Sequence, residues 1–114
     1  MNELQVTARI RIHDGKLDDF KNAAERCVTS VREKDTGTLQ YDWFFNDDET
    51  ECVVRERYRD SDAVIEHIGN LGDAFGDLLG VCDLTIELFG EPSRELVDAS
   101  ASLDVTTYRF FMAP

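Results

Sequence analysis

Residues 39–71, LQYDWFFNDDETECVVRERYRDSDAVIEHIGNL, decide the reading of the fold. Leu39, Tyr41, Trp43 and Phe45 alternate with Gln40, Asp42, Phe44 and Asn46. Aromatics at this density in a period-two pattern favour a strand over residues 39–46. The polar cluster of residues 46–50, NDDET, reads as a turn. Residues 51–59 alternate again: Cys52, Val54, Glu56 and Tyr58 share one face, and Val53, Arg55 and Arg57 the other. Two strands joined by a short polar turn form a hairpin. Asp60 and Ser61 can then cap a helix start. Val64, His67, Ile68 and Leu71 fall on one face of that helix, so its apolar stripe carries a histidine.

Reading outward, residues 3–12 alternate strictly, with Leu4, Val6, Ala8, Ile10 and Ile12 on one face. Period two over such a length is a strong strand signal. A helix follows, with Leu17, Phe20, Ala24, Cys27, Val28 and Val31 at spacings of three and four. Asp18 and Asp19 suit the positive end of its dipole, and Gly37 is the expected cap at its far end. Gly69, Gly72, Gly76 and Gly80 predict that the helix carrying His67 breaks near Gly72. Residues 81–90 read as a fourth strand, with Cys82, Leu84, Ile86 and Leu88 on one face. Pro92 and Ser93 start a short helical turn, and residues 103–112 read as a last strand.

The order is β-α-β-β-α-β with a short helix and an extra strand appended, all in one domain, residues 1–114. It predicts an α+β, ferredoxin-like fold with two helices on one face of an antiparallel sheet. Aromatics on both faces of the second and last strands imply a greasy open face, and hence a partner. Two such sheets packed face to face make a dimeric α+β barrel, with the last strand as an edge or exchange element.

Composition narrows the function classes. Acidic residues number 24 against 12 basic, a net charge of −12. Phosphate backbones and anionic lipid repel such a chain, so nucleic acid and membrane surfaces are poor partners. No apolar run approaches a membrane span, and the alternating N-terminus lacks the core of a signal peptide, which places the protein in the cytoplasm. Cys27, Cys52 and Cys82 contain no CxxC pair and read as buried free thiols. With only His13 and His67 to join them, no metal site is expected. Neither a phosphate-binding glycine loop nor a Ser-His-Asp constellation is visible.

Four stretches carry a family resemblance: HDGKLDDFKNAAE after the first strand, EKDTGTLQYDWF, RERYRDSDAVIEHIGN, and LFGEPSRELVDAS followed by YRFF. Taken in order, over about residues 4–111, they resemble the antibiotic biosynthesis monooxygenase domain family, small dimeric α+β barrels. The resemblance implies a homodimer with a small apolar cavity in each protomer between the second helix and the sheet. It also implies cofactor-independent monooxygenation of a quinol- or anthrone-type aromatic, with no bound cofactor. His67, by its place in EHIGN, would be the catalytic proton acceptor or an orienting donor. Trp43, Tyr41, Tyr58 and Phe75 would be substrate-binding walls, with Asn70 on the rim. Haem-degrading relatives require a first-strand Asn where this chain has Thr7, which argues against that branch. A neutral imidazole is a suitable base near pH 7, yet a lone histidine on an apolar stripe is often filler. Glu56 shares a strand face with Tyr58; turned toward the helices it would be a carboxylate in an apolar setting with a raised pKa, and the favoured reading is an ion pair with Arg55, Arg57 or Arg9 across the sheet. Two alternatives remain open: a non-catalytic dimeric module that binds a small apolar molecule, and an isomerase or lyase acting on a similar ring.

Overall fold

The computed structural model describes residues 2–114. Its elements run β1 (Leu4–Ile12), α1 (Leu17–Lys34), β2 (Thr38–Phe45), β3 (Glu51–Tyr58), α2 (Ser61–Leu71), α3 (Asp73–Leu79), β4 (Cys82–Phe89), α4 (Arg94–Ala99) and β5 (Val105–Tyr108). The strands form one five-stranded sheet in the order β2-β3-β1-β4-β5. β1, with its full alternation, lies at the centre and is antiparallel to both neighbours: Ala8 faces Val54 on one side and Ile86 on the other. The first four strands have the predicted ferredoxin-like arrangement.

The sheet as a whole is mixed, which corrects the antiparallel expectation. β5 runs parallel to β4, with Ile86 opposite Val105. The cause lies in the connection. Gly90, at φ 131°, turns the chain out of β4, α4 carries it back along the sheet, and β5 starts beside Ile86, midway along β4, and runs the same way. A parallel neighbour needs a crossover of this kind rather than a tight turn. β5 is also shorter than residues 103–112, because the chain beyond Tyr108 leaves the sheet with Phe110, Phe111 and Met112 exposed.

The helices bury the face that the alternation marked. Leu4, Val6, Ala8, Ile10 and Ile12 are all buried, and Phe20 and Cys27 of α1 have no exposed surface. Full burial of a side chain like Phe20 is worth about 2–3 kcal/mol. Asp60 caps α2 by accepting the Ala63 N–H at 2.9 Å. The predicted break occurs at Gly72, whose φ of 51° ends α2 and starts α3. Gly37 is not the cap of α1. Asp35 occupies that place, its N–H bonded to the Val31 carbonyl. Gly37 is small for another reason: a Cβ there would stand 2.5 Å from the Ala63 Cβ, so it lets the start of β2 lie against α2.

The open face of the sheet differs from the greasy surface anticipated. Its centre is polar, carrying Gln5, Arg9, Arg55 and Glu87, with Arg9 paired to Glu87 at 3.4 Å and Arg57 to Glu3 at 3.0 Å. Apolar groups sit at its margins: Phe44 near one edge, and Phe89 stacked on Tyr108 near the other, with ring centroids 5.4 Å apart. The aromatics of β2 explain the difference, because Tyr41 and Trp43 turn inward to the core and leave Phe44 on the open side. The three cysteines are free and buried, as predicted, and burial pushes each thiol up to about 11. Among the described residues no helix is long and apolar enough to cross a membrane.

Candidate functional site

Two packed clusters share the inner face of the sheet, one beneath α1 and α3 and one beneath α2 and α4. Where they meet, the core is incompletely filled and leaves a cavity of about 80 Å³. Aliphatic side chains such as Val6, Val54, Leu88 and Leu96 make most of its wall. Polar side chains interrupt them: Tyr41 from β2, Glu56 and Tyr58 from β3, His67 from α2, and Ser100 just after α4. Helical spacing brings His67 to the sheet on the same face as Val64 and Leu71, which are also buried.

His67 is not filler bonded to backbone. Its Nδ1 lies 2.8 Å from Oδ2 of Asp35, and the two side chains are 6% and 1% exposed. A carboxylate only accepts, so Nδ1 carries the hydrogen and Nε2 presents a lone pair. Asp35 accepts two further bonds, from the Thr38 hydroxyl at 2.6 Å and the Asn70 amide at 2.9 Å. Burial works against its charge, but the bonds from Asn70, Thr38 and His67 outweigh that and hold its pKa below 3.8. For His67, burial lowers the pKa from 6.5 and the neighbouring carboxylate only partly restores it. The imidazole is therefore neutral at pH 7, fixed in one tautomer, and clasped between Tyr41 and Tyr58, with ring centroids at 5.0 and 5.2 Å.

Glu56 departs from the expectation of a cross-strand ion pair. Strand alternation turns Arg55 and Arg57 to the open face and Glu56 to the cavity. Among the described residues its hydrogen-bond partner is the Tyr58 hydroxyl, two residues along the same strand. Protein packs densely around Glu56, which lines the cavity. Burial raises its pKa from 4.5 to about 7, against the opposing pull of the Tyr58 bond. The hydroxyls of Tyr58 and Tyr41 are pushed above 10 by burial and then by Glu56, so both stay protonated donors.

Of the predicted site residues, the structure brings His67, Tyr41, Trp43, Tyr58 and Phe75 to the cavity wall. Trp43 packs edge-on against Tyr41 at 5.6 Å, and its buried Nε1 has no acceptor among the described residues. Phe75 reaches the wall from α3. Asn70 does not line the cavity. It stands behind His67, where it supports Asp35 and offers its carbonyl to Ser30 at 2.8 Å. Asp35 was not foreseen: it lies 32 residues from His67 in a loop, and an acid at a helix end gives no local sign of a distant imidazole. The alternation of β3 already carried the signal for Glu56. Among the described residues no cluster of three or more His, Cys, Asp or Glu is placed to hold a metal ion.

Comparison with known proteins agrees with this architecture. MupZ from Pseudomonas fluorescens superposes with a TM-score of 0.82 at 19% identity, over 99% of this chain and 93% of that one. SnoaB, a cofactor-independent oxygenase from Streptomyces nogalater, gives 0.68 at 18% identity, over 82% of this chain and 96% of its own. Rv0793 from Mycobacterium tuberculosis gives 0.69 at 21% identity, over 81% and 97%. At such identities the likeness concerns the fold. No curated protein sequence matches the chain. The family model described as antibiotic biosynthesis monooxygenase matches residues 4–71, more than half of the chain and the whole stretch from β1 through α2. The chain is a member of the antibiotic biosynthesis monooxygenase family.

Proposed function

We propose that the protein is a cofactor-independent monooxygenase acting on a quinol- or anthrone-type aromatic. The observation that carries this reading is His67: a neutral imidazole, oriented by a buried carboxylate, on the wall of an apolar aromatic cavity. Family membership supports it, as does the fold shared with the oxygenase SnoaB. The chemistry asks three things of the protein: a proton acceptor, a dry cavity and aromatic walls. His67 takes a proton from the activated carbon or phenol, with Asp35 holding the ring and stabilising the imidazolium that results. The substrate anion then passes electrons to molecular oxygen. Tyr41, Tyr58, Trp43 and Phe75 flank the ring system and exclude water.

A cavity of about 80 Å³ is small for a fused aromatic substrate, so entry involves displacement of α3. That helix carries Phe75, begins at the Gly72 break and contains Gly76. The protein acts as a homodimer in this reading, in which the aromatic margins of the open face and the exposed Phe110, Phe111 and Met112 are covered by the second copy. Light scattering at micromolar concentration tests that part.

Oxygen uptake with a panel of hydroquinones and anthrones, wild type against His67→Ala, tests the chemistry. Uptake lost in the variant supports the assignment, and equal rates remove His67 from it. The small, largely apolar cavity favours one second reading, a module that binds a compact apolar molecule without turnover. Binding with no oxygen uptake across the panel would select that alternative.

A further inference from the structure

The cavity holds a second titratable group that a single-base scheme leaves idle. Among the described residues Glu56 has no cation as partner, and it lines the same hollow as His67. Tyr58 lies between them, giving its ring to His67 and its hydroxyl to Glu56. The groups around Glu56 are Tyr41 across the hairpin on β2, Tyr58 on its own strand, Cys27 on α1 and His67 on α2, with apolar Val6 opposite on β1. None of these is a cation at neutral pH, since His67 is held neutral. A buried carboxyl without a counter-ion costs stability, and a Gln of the same shape would avoid that cost.

The net reaction supplies a use for it. Conversion of a ring CH₂ by O₂ to a carbonyl and water needs two different proton transfers. First, His67 takes a C–H proton, the carbanion pair forms a C–O bond to oxygen, and the proton returns to give a hydroperoxide. Then the second C–H proton leaves to base, the C=O bond forms, and the O–O bond breaks with its pair on the distal oxygen. That oxygen departs as hydroxide unless an acid meets it. We infer that Glu56, held by Tyr58, is this acid: it protonates the departing oxygen to water while His67 takes the carbon-bound proton. The cycle closes when the imidazolium proton passes back to the carboxylate. The assignment rests on the oxygenase reading for its substrate, and on geometry for its residue.

Glu56→Gln keeps the shape and the acceptor for Tyr58 but has no proton to give at neutral pH. With anthrone as substrate, kcat falls on the order of 100-fold. The wild-type rate declines above pH about 7 as Glu56 ionises, and this alkaline limb is absent from the variant. Tyr58→Phe retains the ring contact with His67 but removes the bond that favours the carboxylate, so the limb moves to higher pH. A merely structural role for either residue would leave the limb in place. Infrared titration of the carboxyl in the protein, assigned by its absence from Glu56→Gln, gives a readout that needs no turnover. Wild-type turnover with an unchanged rate and limb in Glu56→Gln overturns the inference and spares the oxygenase. If the wild type shows no turnover, a carboxyl that titrates near 7 and changes protonation when anthrone binds keeps Glu56 as the cavity's proton-transfer group, while the oxygenase reading falls. A carboxyl that titrates in the ordinary range and ignores anthrone overturns the assignment.

Discussion

Glu56→Gln makes a prediction about stability that stands apart from any catalysis. The folded protein raises the Glu56 pKa from 4.5 to about 7. Below 4.5 the carboxyl is protonated in both folded and unfolded chains and carries no penalty. As pH rises from 4.5 toward 7, the unfolded chain ionises while the folded one resists, so folding loses free energy until the folded group ionises too. At 1.36 kcal/mol per pH unit, the loss amounts to about 3 kcal/mol by pH 8, an upper figure because Glu56 is not fully removed from solvent. Glutamine does not titrate. The variant should therefore match the wild type near pH 4 and exceed it by up to about 3 kcal/mol at pH 8, on the order of 10 °C in Tm for a chain of this size. Urea melts of both proteins, run in parallel from pH 4 to 8, measure the difference and cancel the titration of every other group. A difference that stays flat across this range would show that Glu56 ionises as an ordinary carboxyl, and the description of the cavity as a desolvating site would fall with it.

Other perturbations follow from the same geometry. Asp35→Ala leaves the buried imidazole without its partner and costs about 3 kcal/mol, read by urea denaturation; it also frees His67 to change tautomer, which nitrogen NMR of the ring would register. Because the His67 pKa lies below 6.5 and that of Asp35 below 3.8, each contributes stability that is lost as pH falls. The His67 contribution goes first, as pH drops below 6.5, and the Asp35 contribution below 3.8; His67→Gln should remove the upper of these steps and shrink the lower, because His67 is one of the three partners that hold the Asp35 pKa down, as an acid titration of unfolding would read. Gly37→Ala forces a methyl to within 2.5 Å of Ala63 and should cost about 1–3 kcal/mol, recovered in part by adding Ala63→Gly. Phe75→Ala removes one cavity wall and should raise KM for a fused aromatic more than it lowers kcat, measured by steady-state oxygen uptake.

How much of this was legible in the sequence depended on the range of the cause. Alternation is local, so β1, the β2–β3 hairpin and β4 could be read from it, and the stripe carrying His67 pointed correctly inward. The direction of β5 was not local. It depends on Gly90 and on the length of the connection through α4, neither of which marks whether the returning strand runs with or against its neighbour. The polarity of the open face was misjudged for a related reason. The register places Tyr41 opposite Glu56 and Trp43 opposite Val54, inside the fold, and leaves Phe44 as the aromatic that β2 gives the open face.

The site shows the same division more sharply. Each of its polar members is ordinary in its own segment: an aspartate after a helix, a glutamate between two arginines, a histidine in an apolar stripe. Only the fold makes them unusual, by placing Asp35 against His67 and by turning Glu56 away from the arginines on either side of it. A two-residue repeat that puts Arg55 and Arg57 in water must put Glu56 in the core, so the arginines that look like its partners in sequence are the residues the strand denies it. A carboxyl deprived of cations in this way takes up a proton near neutrality, and a cavity that holds it beside a neutral, oriented imidazole has both a donor and an acceptor of protons at the same pH. That pairing depends on β3 keeping its register with β2 and β1. One inserted residue between Val53 and Glu56 would flip every later side chain of β3, sending the carboxyl to the open face and Arg57 into the cavity, and should abolish the alkaline limb.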